Sequence, residues 1–242
     1  MLLACLCLVI LSGKLLAQTP LPFSATYEAR YGGFRANAER SLTTFDDTSI
    51  EMSTLLELKL LGKSVSAIRE TSSIFIDSND GQTRSTQYSF IQSGIGKRSR
   101  HIRFDWDAAI ASTTLDNLTV ELPLEHNVTD SLSTYLEISR QLHSGETDIR
   151  FMGIYKGELE EIHYRVIGEE VTETAQGQFN TVRLKRIREP GSDRTTEIWL
   201  AKDWDHMLIK LVQEEPGSST ISLELSEAVM DGKPVTPLPV SR

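Results

Sequence analysis

The residues best suited to chemistry form a short acidic cluster late in the chain, Asp203-Trp204-Asp205-His206. Carboxylate and imidazole groups are the side chains that bind a metal ion or activate a nucleophile. The cluster falls between two predicted strands, and aspartate is common in turns because its carboxylate accepts hydrogen bonds from nearby backbone. The pattern therefore favours a hairpin turn, and a hydrolase acting through Asp203 or His206 is the alternative hypothesis.

The motifs that usually mark an enzyme do not occur in this sequence. The five histidines include no His-Glu-x-x-His zinc motif, and the serines include no Gly-x-Ser-x-Gly nucleophile elbow. Adjacent carboxylates such as Glu160-Glu161 point to opposite faces of a strand, so they make poor acid–base pairs. We therefore predict a protein that is not an enzyme and that carries no metal ion or cofactor.

A basic cluster interrupts the chain at Lys97, Arg98, Arg100 and Arg103. Cations this close together can bind a phosphate, a lipid head group or the acidic surface of a partner protein. No glycine-rich loop leading into a helix accompanies the cluster, so a nucleotide site is not indicated. The cluster is a candidate anion-binding or partner-binding patch, and a solvated strand end is the alternative.

Charge and cysteine content narrow the class of protein further. The 242 residues include 25 Lys+Arg and 34 Asp+Glu, a formal net charge of −9, which disfavours non-specific binding to nucleic acid. A chain of this length can bury a core without disulfides. Its two cysteines, Cys5 and Cys7, lie near the start, so the remainder has no thiol for a disulfide, a nucleophile or a thiolate metal site.

The start of the chain is typical of a signal peptide. Met1–Leu11 is almost wholly apolar, and a small residue, Ala17, follows where a signal peptidase could cut. We therefore predict residues 1–17 as a signal peptide and a periplasmic or secreted protein beginning at Gln18. No run after Ala17 approaches the ~20 apolar residues of a spanning helix. Leu2-Leu3-Ala4-Cys5 resembles a lipobox, so lipid anchoring at Cys5 is an alternative that needs a start upstream of Met1.

The elements that must position these groups are mostly strands. Apolar residues after Pro22 recur with a period of two, and Gly32-Gly33 turns the first strand into the second. Only Asp130–His143 has helical spacing, with Asp130 as its N-terminal cap and Gly145 closing its C-terminus. We predict an all-β fold with one helix, in which a large antiparallel sheet curls into an open or closed barrel and the helix packs on it or plugs it.

The inner face of such a sheet either fills the centre or lines a ligand cavity. Its first two strands place small side chains on one face, which leaves space if they face one another; the candidate apolar concave face is Ala25, Tyr27, Ala29, Ala36 and Ala38. The leading hypothesis is a cell-envelope protein that binds an apolar ligand, such as a lipid or an acyl chain, or an envelope partner. A structural or assembly protein with a packed core is the alternative, and the oligomeric state stays open.

The domain organisation follows from the same pattern. Residues 18–231 read as a single β-rich domain, and a division into two subdomains around the helix is the alternative. The tail 232–242 contains Pro234, Pro237 and Pro239, and we predict that it is disordered.

Several of these segments together resemble a bacterial exported family, domain of unknown function 3108, over Phe23 to Val229. The resemblance rests on Gly32-Gly33, on Asp130-x-Leu132-Ser133-x-x-Leu136, on Val166-x-Gly168-x-Glu170, on residues 177–184 and on Trp199-Leu200-Ala201-Lys202-Asp203. The chain departs from the family pattern at Met207-Leu208-Ile209, where the family has a proline opening the next strand. The resemblance implies a barrel-like envelope protein, and it supplies no catalytic residues.

Overall fold

The computed structural model describes residues 19–46, 48–60, 63–78, 80–125 and 127–239. The predicted signal peptide, Cys5 and the last three residues lie outside these ranges. The described chain forms one helix, α1 (Thr134–His143), and sixteen strands. The strands are β1 (Phe23–Tyr31), β2 (Phe34–Thr44), β3 (Ser49–Leu60), β4 (Lys63–Ile76), β5 (Thr83–Gly94), β6 (Arg98–Asp105), β7 (Ile110–Leu115), β8 (Leu118–Pro123), β9 (Val128–Thr129), β10 (Asp148–Tyr155), β11 (Glu158–Thr174), β12 (Gly177–Ile187), β13 (Thr195–Ala201), β14 (Met207–Glu214), β15 (Ile221–Met230) and β16 (Lys233–Pro234).

One sheet contains all of these strands. Its order is β8-β7-β6-β5-β4-β3-β2-β1-β15-β14-β13-β12-β11-β10-β9, with β16 added to β15. Neighbours are antiparallel except β9 and β10, which pair in parallel. The two ends of this order, β8 and β9, do not pair with each other in the described chain. The prediction of an all-β fold with one large curled antiparallel sheet is confirmed, and the barrel is open rather than closed.

Bulges help the long sheet to curl. The register shifts at Thr26/Tyr27 between β1 and β15, at Ser73/Ile74 between β4 and β5, and at Val166/Gly168 between β11 and β12. An extra residue on one strand bends it and increases its twist. Because successive hairpins reverse direction, the turns gather at two ends. The open end carries the β1–β2, β5–β6 and β14–β15 turns, and the helix end carries the β2–β3, β4–β5 and β13–β14 turns.

The β1–β2 hairpin shows how the local sequence determines the register. Gly32 and Gly33 have φ of +54° and +83°, the left-handed conformation that a two-residue type I′ turn needs and that glycine adopts without steric cost. The turn places Tyr31 opposite Phe34 and, two residues further along, Ala29 opposite Ala36. The predicted turn is confirmed, and it fixes which side chains of β1 and β2 share the inner face.

The helix packs against the sheet at the helix end. Leu136 and Ile138 are buried, and the Tyr135 ring meets Phe23 of β1 edge to face, with ring centroids 6.0 Å apart. The α-helix starts at Thr134, four residues later than predicted, because Asp130–Ser133 form turns that precede it. Gly145, at φ +82°, donates its N–H to Leu142 O at 2.9 Å and so closes the C-terminus, as the sequence predicts.

The tail prediction is wrong for residues 232–239. Strand β16 pairs with β15, and Val235 is only 1 % exposed. Its N–H donates to Ala228 O at 2.9 Å, and Leu238 N–H donates to Gln178 O at 2.7 Å. The three prolines that suggested disorder lack an N–H, but the residues between them supply the donors that attach this segment to the sheet.

Candidate ligand cavity at the open end

A cavity of about 570 Å³ opens into the curled sheet at the open end. Its volume lies within the ~300–1,000 Å³ that is usual for small-molecule sites. Its walls come from β1 to β5 and from the segments around β14 and the start of β15. Aliphatic side chains form most of the wall surface: Ala29, Ala36, Leu56, Leu58, Ile68 and Ile221. Polar side chains complete the lining: Ser66, Gln92, Gln213, Ser218 and Ser219, beside charged residues at the rim. The side chains of Tyr31, Phe34 and Ile95 also line it and stand at its mouth.

The strand register explains why space remains at this level and not deeper. Ala29 lies opposite Ala36, so two methyl groups face each other and neither fills the centre of the curl. The next inward pair is Tyr27 and Ala38, and here the large ring of Tyr27 occupies the space that the alanine leaves. Burial of that ring is nearly complete and raises the pKa of Tyr27 to about 12.

The five residues of the predicted concave face therefore divide between two environments. Ala29 and Ala36 line the cavity, whereas Ala25, Tyr27 and Ala38 are buried in the hydrophobic core beneath it. The barrel therefore contains both a cavity and a packed core, which the sequence left as alternatives.

A charged belt lies next along the strands, formed by the inward side chains of Arg40, Glu70 and Arg100. These three residues belong to one row of side chains that crosses β2 to β6. The row runs in the order Arg40, Thr54, Glu70, Phe90 and Arg100, each residue pairing with the next. Tyr88 donates its hydroxyl to Glu70 Oε1 at 2.5 Å, while burial raises the pKa of the Glu70 carboxyl. None of these three charged side chains lines the cavity, so the belt lies beyond its inner end.

The basic cluster predicted as a patch is not one surface. Arg100 points inward and is 7 % exposed, with its guanidinium 5.3 Å from the centre of the Phe90 ring. Arg98 and Lys97 are exposed at the open end, whereas Arg103 is exposed on the outer wall. Residues an odd number apart on a strand face opposite sides, so strand alternation separates Arg103 from Arg98 and Arg100. The prediction that Lys97, Arg98, Arg100 and Arg103 form one surface patch is therefore wrong.

The helix end contains a second group of polar side chains, which includes the acidic cluster of the sequence. Asp205 and His206 have φ of +47° and +56° and form the β13–β14 turn, in agreement with the predicted hairpin. His143 Nε2 lies 3.2 Å from Asp205 Oδ1, and Ser139 Oγ lies 3.4 Å from Nδ1 of both His143 and His206. Sequence reasoning missed this grouping because Ser139 and His143 belong to α1, far away in the chain.

The hydrogen bonds of His143 argue against a Ser-His-Asp nucleophile in this group. His143 Nδ1 lies 2.8 Å from the backbone oxygen of Ser139. A carbonyl oxygen only accepts, so Nδ1 carries a proton and cannot take one from the Ser139 hydroxyl. Among the residues that the structure describes, no group of three or more His, Cys, Asp or Glu could hold a metal ion. The arrangement instead ties α1 to the β13–β14 turn.

This contact predicts a pH-dependent stability. Burial, with His143 and Lys202 nearby, lowers the pKa of His206 from 6.5 to about 4. Between these values the unfolded chain takes up a proton that the folded protein does not. The stabilisation present above pH 6.5 should therefore be lost as the pH falls towards 4, by about 1–2 kcal/mol for a partly screened ring.

The measurement is urea unfolding of the wild type and of His206→Asn, a residue that tolerates a positive φ, at about pH 7 and about pH 4.5. The wild type should lose stability relative to the variant on acidification. Asp205, whose pKa burial raises, contributes with the opposite sign in both proteins, so the difference isolates the imidazole. Equal pH dependence of the two proteins would show that His206 is not held neutral.

The chain matches one protein family over most of its length. The family model described as "Protein of unknown function (DUF3108)" matches residues 26–226. The chain belongs to this family. The match covers most of the sheet and all of α1, so the resemblance seen in the sequence is confirmed, and the family description assigns no activity.

A solved structure shares the architecture. The β-barrel-like protein of domain of unknown function DUF1849 from Brucella abortus aligns with a TM-score of 0.58 at 8% identity, over 87% of this chain and 98% of that one. At this identity the likeness concerns the fold alone. None of the curated proteins matches the chain. In the described part of the chain, no helix is both long and apolar enough to cross a membrane.

Proposed function

We propose that this member of the family is a non-enzymatic protein of the bacterial cell envelope that binds an acyl chain, or another elongated apolar ligand, in the open-end cavity. The observation that carries the proposal is the cavity itself, about 570 Å³ of space between mainly apolar walls at the open end of the barrel. Export to the periplasm is part of the proposal and rests on the apolar segment before Gln18.

The walls favour an apolar ligand. The alanine, leucine and isoleucine side chains of the cavity offer no hydrogen bonds, so a polar group placed against them would lose its water without compensation. An alkyl chain gains from leaving water in proportion to the area that it buries. The charged residues of the lining, such as Arg30 and Arg35, lie towards the mouth, so a bound chain would enter tail first and keep its polar end there.

The lining also favours binding over catalysis. The charged residues that line the cavity are Arg30, Arg35, Arg194 and Glu215, and Arg194 Nη2 is held by Glu215 Oε2 at 2.7 Å. The His143–Asp205 contact is at the opposite end of the barrel, on the far side of the charged belt. A chemical step on a ligand in this cavity would have no histidine base beside it among the lining residues.

A chain-length series tests the proposal. Straight-chain fatty acids of increasing length would compete with a fluorescent acyl probe for the purified protein. Each methylene that enters the cavity should strengthen binding about fourfold, corresponding to ~0.8 kcal/mol, until the cavity is full and the affinity levels off. An affinity that does not change with chain length, or no displacement of the probe at any length, would contradict the proposal.

A further inference from the structure

Large apolar side chains surround the mouth of the cavity and are open to solvent. Tyr31, Phe34 and Ile95 are 52 %, 61 % and 71 % exposed, and all three line the cavity entrance. They come from two hairpins, β1–β2 and β5–β6, whose turns both lie at the open end. Exposed apolar groups gathered in one place mark a surface that binds a partner or a membrane.

Positive charge accompanies these apolar side chains. Arg30 and Arg35 lie directly opposite each other in the β1–β2 hairpin, an arrangement in which like charges repel. Both contact Glu28, and Arg35 Nη1 is 3.5 Å from its Oε2, so in the described structure one carboxylate serves two guanidinium groups. Their side chains are 56 % and 70 % exposed. The pair is therefore available to an external anion.

The β5–β6 turn adds further positive charge to the open end. Lys97 and Arg98 are exposed there, next to Ile95 in the chain. The chain as a whole carries a formal net charge of −9. The positive charge around this opening therefore has the opposite sign to the net charge of the protein. Aromatic side chains flanked by arginine and lysine are typical of segments that sit at the surface of an anionic membrane.

We propose that the open end docks on an anionic lipid bilayer, with Phe34, Tyr31 and Ile95 entering the interfacial region while Arg30 and Arg35 bind lipid head groups. This inference rests on the proposed function, since an acyl chain could then pass from the bilayer into the cavity without crossing water. A bilayer fits better than a folded partner because the same opening presents apolar side chains, long flexible cations and a mainly apolar cavity.

Vesicle co-sedimentation tests the docking. The purified protein is mixed with phosphatidylcholine vesicles, either pure or containing phosphatidylglycerol. We expect binding to the anionic vesicles that weakens as salt is added. The variants Arg30→Glu/Arg35→Glu, Arg30→Gln/Arg35→Gln and Phe34→Ser should each bind more weakly, with a loss of about tenfold or more for the charge reversal. The glutamine pair guards against misfolding caused by charge reversal.

Matched control variants distinguish binding through the open end from non-specific binding to vesicles. Arg69→Glu/Arg103→Glu makes the same charge change on the outer wall, and Phe45→Ser removes an equally exposed ring from the β2–β3 turn at the helix end. Both controls should bind vesicles as the wild type does. Equal binding of the wild type to neutral and anionic vesicles, or equal losses in the controls, would overturn the proposal.

Two further readouts keep this proposal distinct from the proposed function. Lys97→Glu/Arg98→Glu, a pair at the open end outside the cavity lining, should bind anionic vesicles more weakly and keep its affinity for the acyl probe within about threefold. Uptake of the probe without any vesicle binding would refute docking and leave the cavity function standing. Vesicle binding without probe uptake would refute the cavity function. A dimer that Phe34→Ser dissociates would show that a second copy covers the open end, and would also refute docking.

Discussion

Replacing Asp130 by alanine should lower the free energy of unfolding by about 3–5 kcal/mol. The Asp130 carboxylate is 1 % exposed and accepts four hydrogen bonds. Ser72 Oγ and Ser85 Oγ donate to Oδ2 at 2.5 and 2.6 Å, and the N–H groups of Leu132 and Ser133 donate to Oδ1 at 2.7 and 2.9 Å. Alanine would remove the acceptor of all four buried donors, of which Ser85 Oγ retains a contact with Ser133 Oγ at 3.0 Å, and would release the turn before α1 from β4 and β5.

Asp46 provides the matched control. It also accepts four hydrogen bonds, from the backbone and side chains of Thr48 and Ser49, but it stands in the exposed β2–β3 turn. Water can replace it there, so Asp46→Ala should destabilise the protein much less than Asp130→Ala does. Urea unfolding of both variants measures the difference. A loss for Asp130→Ala no larger than that for Asp46→Ala would show that Asp130 does not tie the helix to the sheet.

Replacing Ala36 by phenylalanine should weaken acyl-probe binding by more than about tenfold, because the ring displaces the space of at least two methylenes. The side chain of Ala36 points into the cavity and faces that of Ala29, so the new ring enters empty space instead of a packed core. The free energy of unfolding should therefore change by no more than about 1 kcal/mol. Probe titration and urea unfolding of the same sample measure both quantities.

Two further alanines sharpen this prediction. Ala67 lies on the outer face of β4, so Ala67→Phe should leave both probe affinity and stability nearly unchanged. Ala38 is buried beneath the cavity, and Ala38→Phe should overpack the core and destabilise the protein by about 1–3 kcal/mol. Unaltered probe binding by a folded Ala36→Phe protein would place the ligand elsewhere.

The sequence predicts much of this architecture because period-two alternation and turn chemistry are local. Gly32-Gly33 predicts the β1–β2 turn, and this turn determines the pairing of Ala29 with Ala36. The same alternation also predicts that Arg100 and Arg103 face opposite sides, so the basic patch could have been excluded from the sequence alone. The predicted apolar face is not one continuous surface, as the pairing of Ala38 with Tyr27 shows. The large ring of Tyr27 fills the space that the small side chain of Ala38 leaves.

Other features depend on contacts between distant segments, which a local pattern does not encode. Ser139 and His143 meet Asp205 only because α1 packs beneath the β13–β14 turn. Val235 is buried although prolines lie on both sides of it in the chain. Its N–H donates to the carbonyl oxygen of Ala228 in β15, and this contact holds the segment against the sheet. Whether the sheet closes depends on bulges and on the summed twist of many strands, and a small change in each decides the outcome.

Native mass spectrometry of the protein, purified gently from its own cell envelope beside the Ala36→Phe variant, tests the central claim most directly. The claim predicts a lipid-sized adduct on the wild type that collisional activation removes and that the variant carries to a much smaller extent. A wild-type protein of bare polypeptide mass that also takes up no added fatty acid would contradict the claim that the open-end cavity is a binding site.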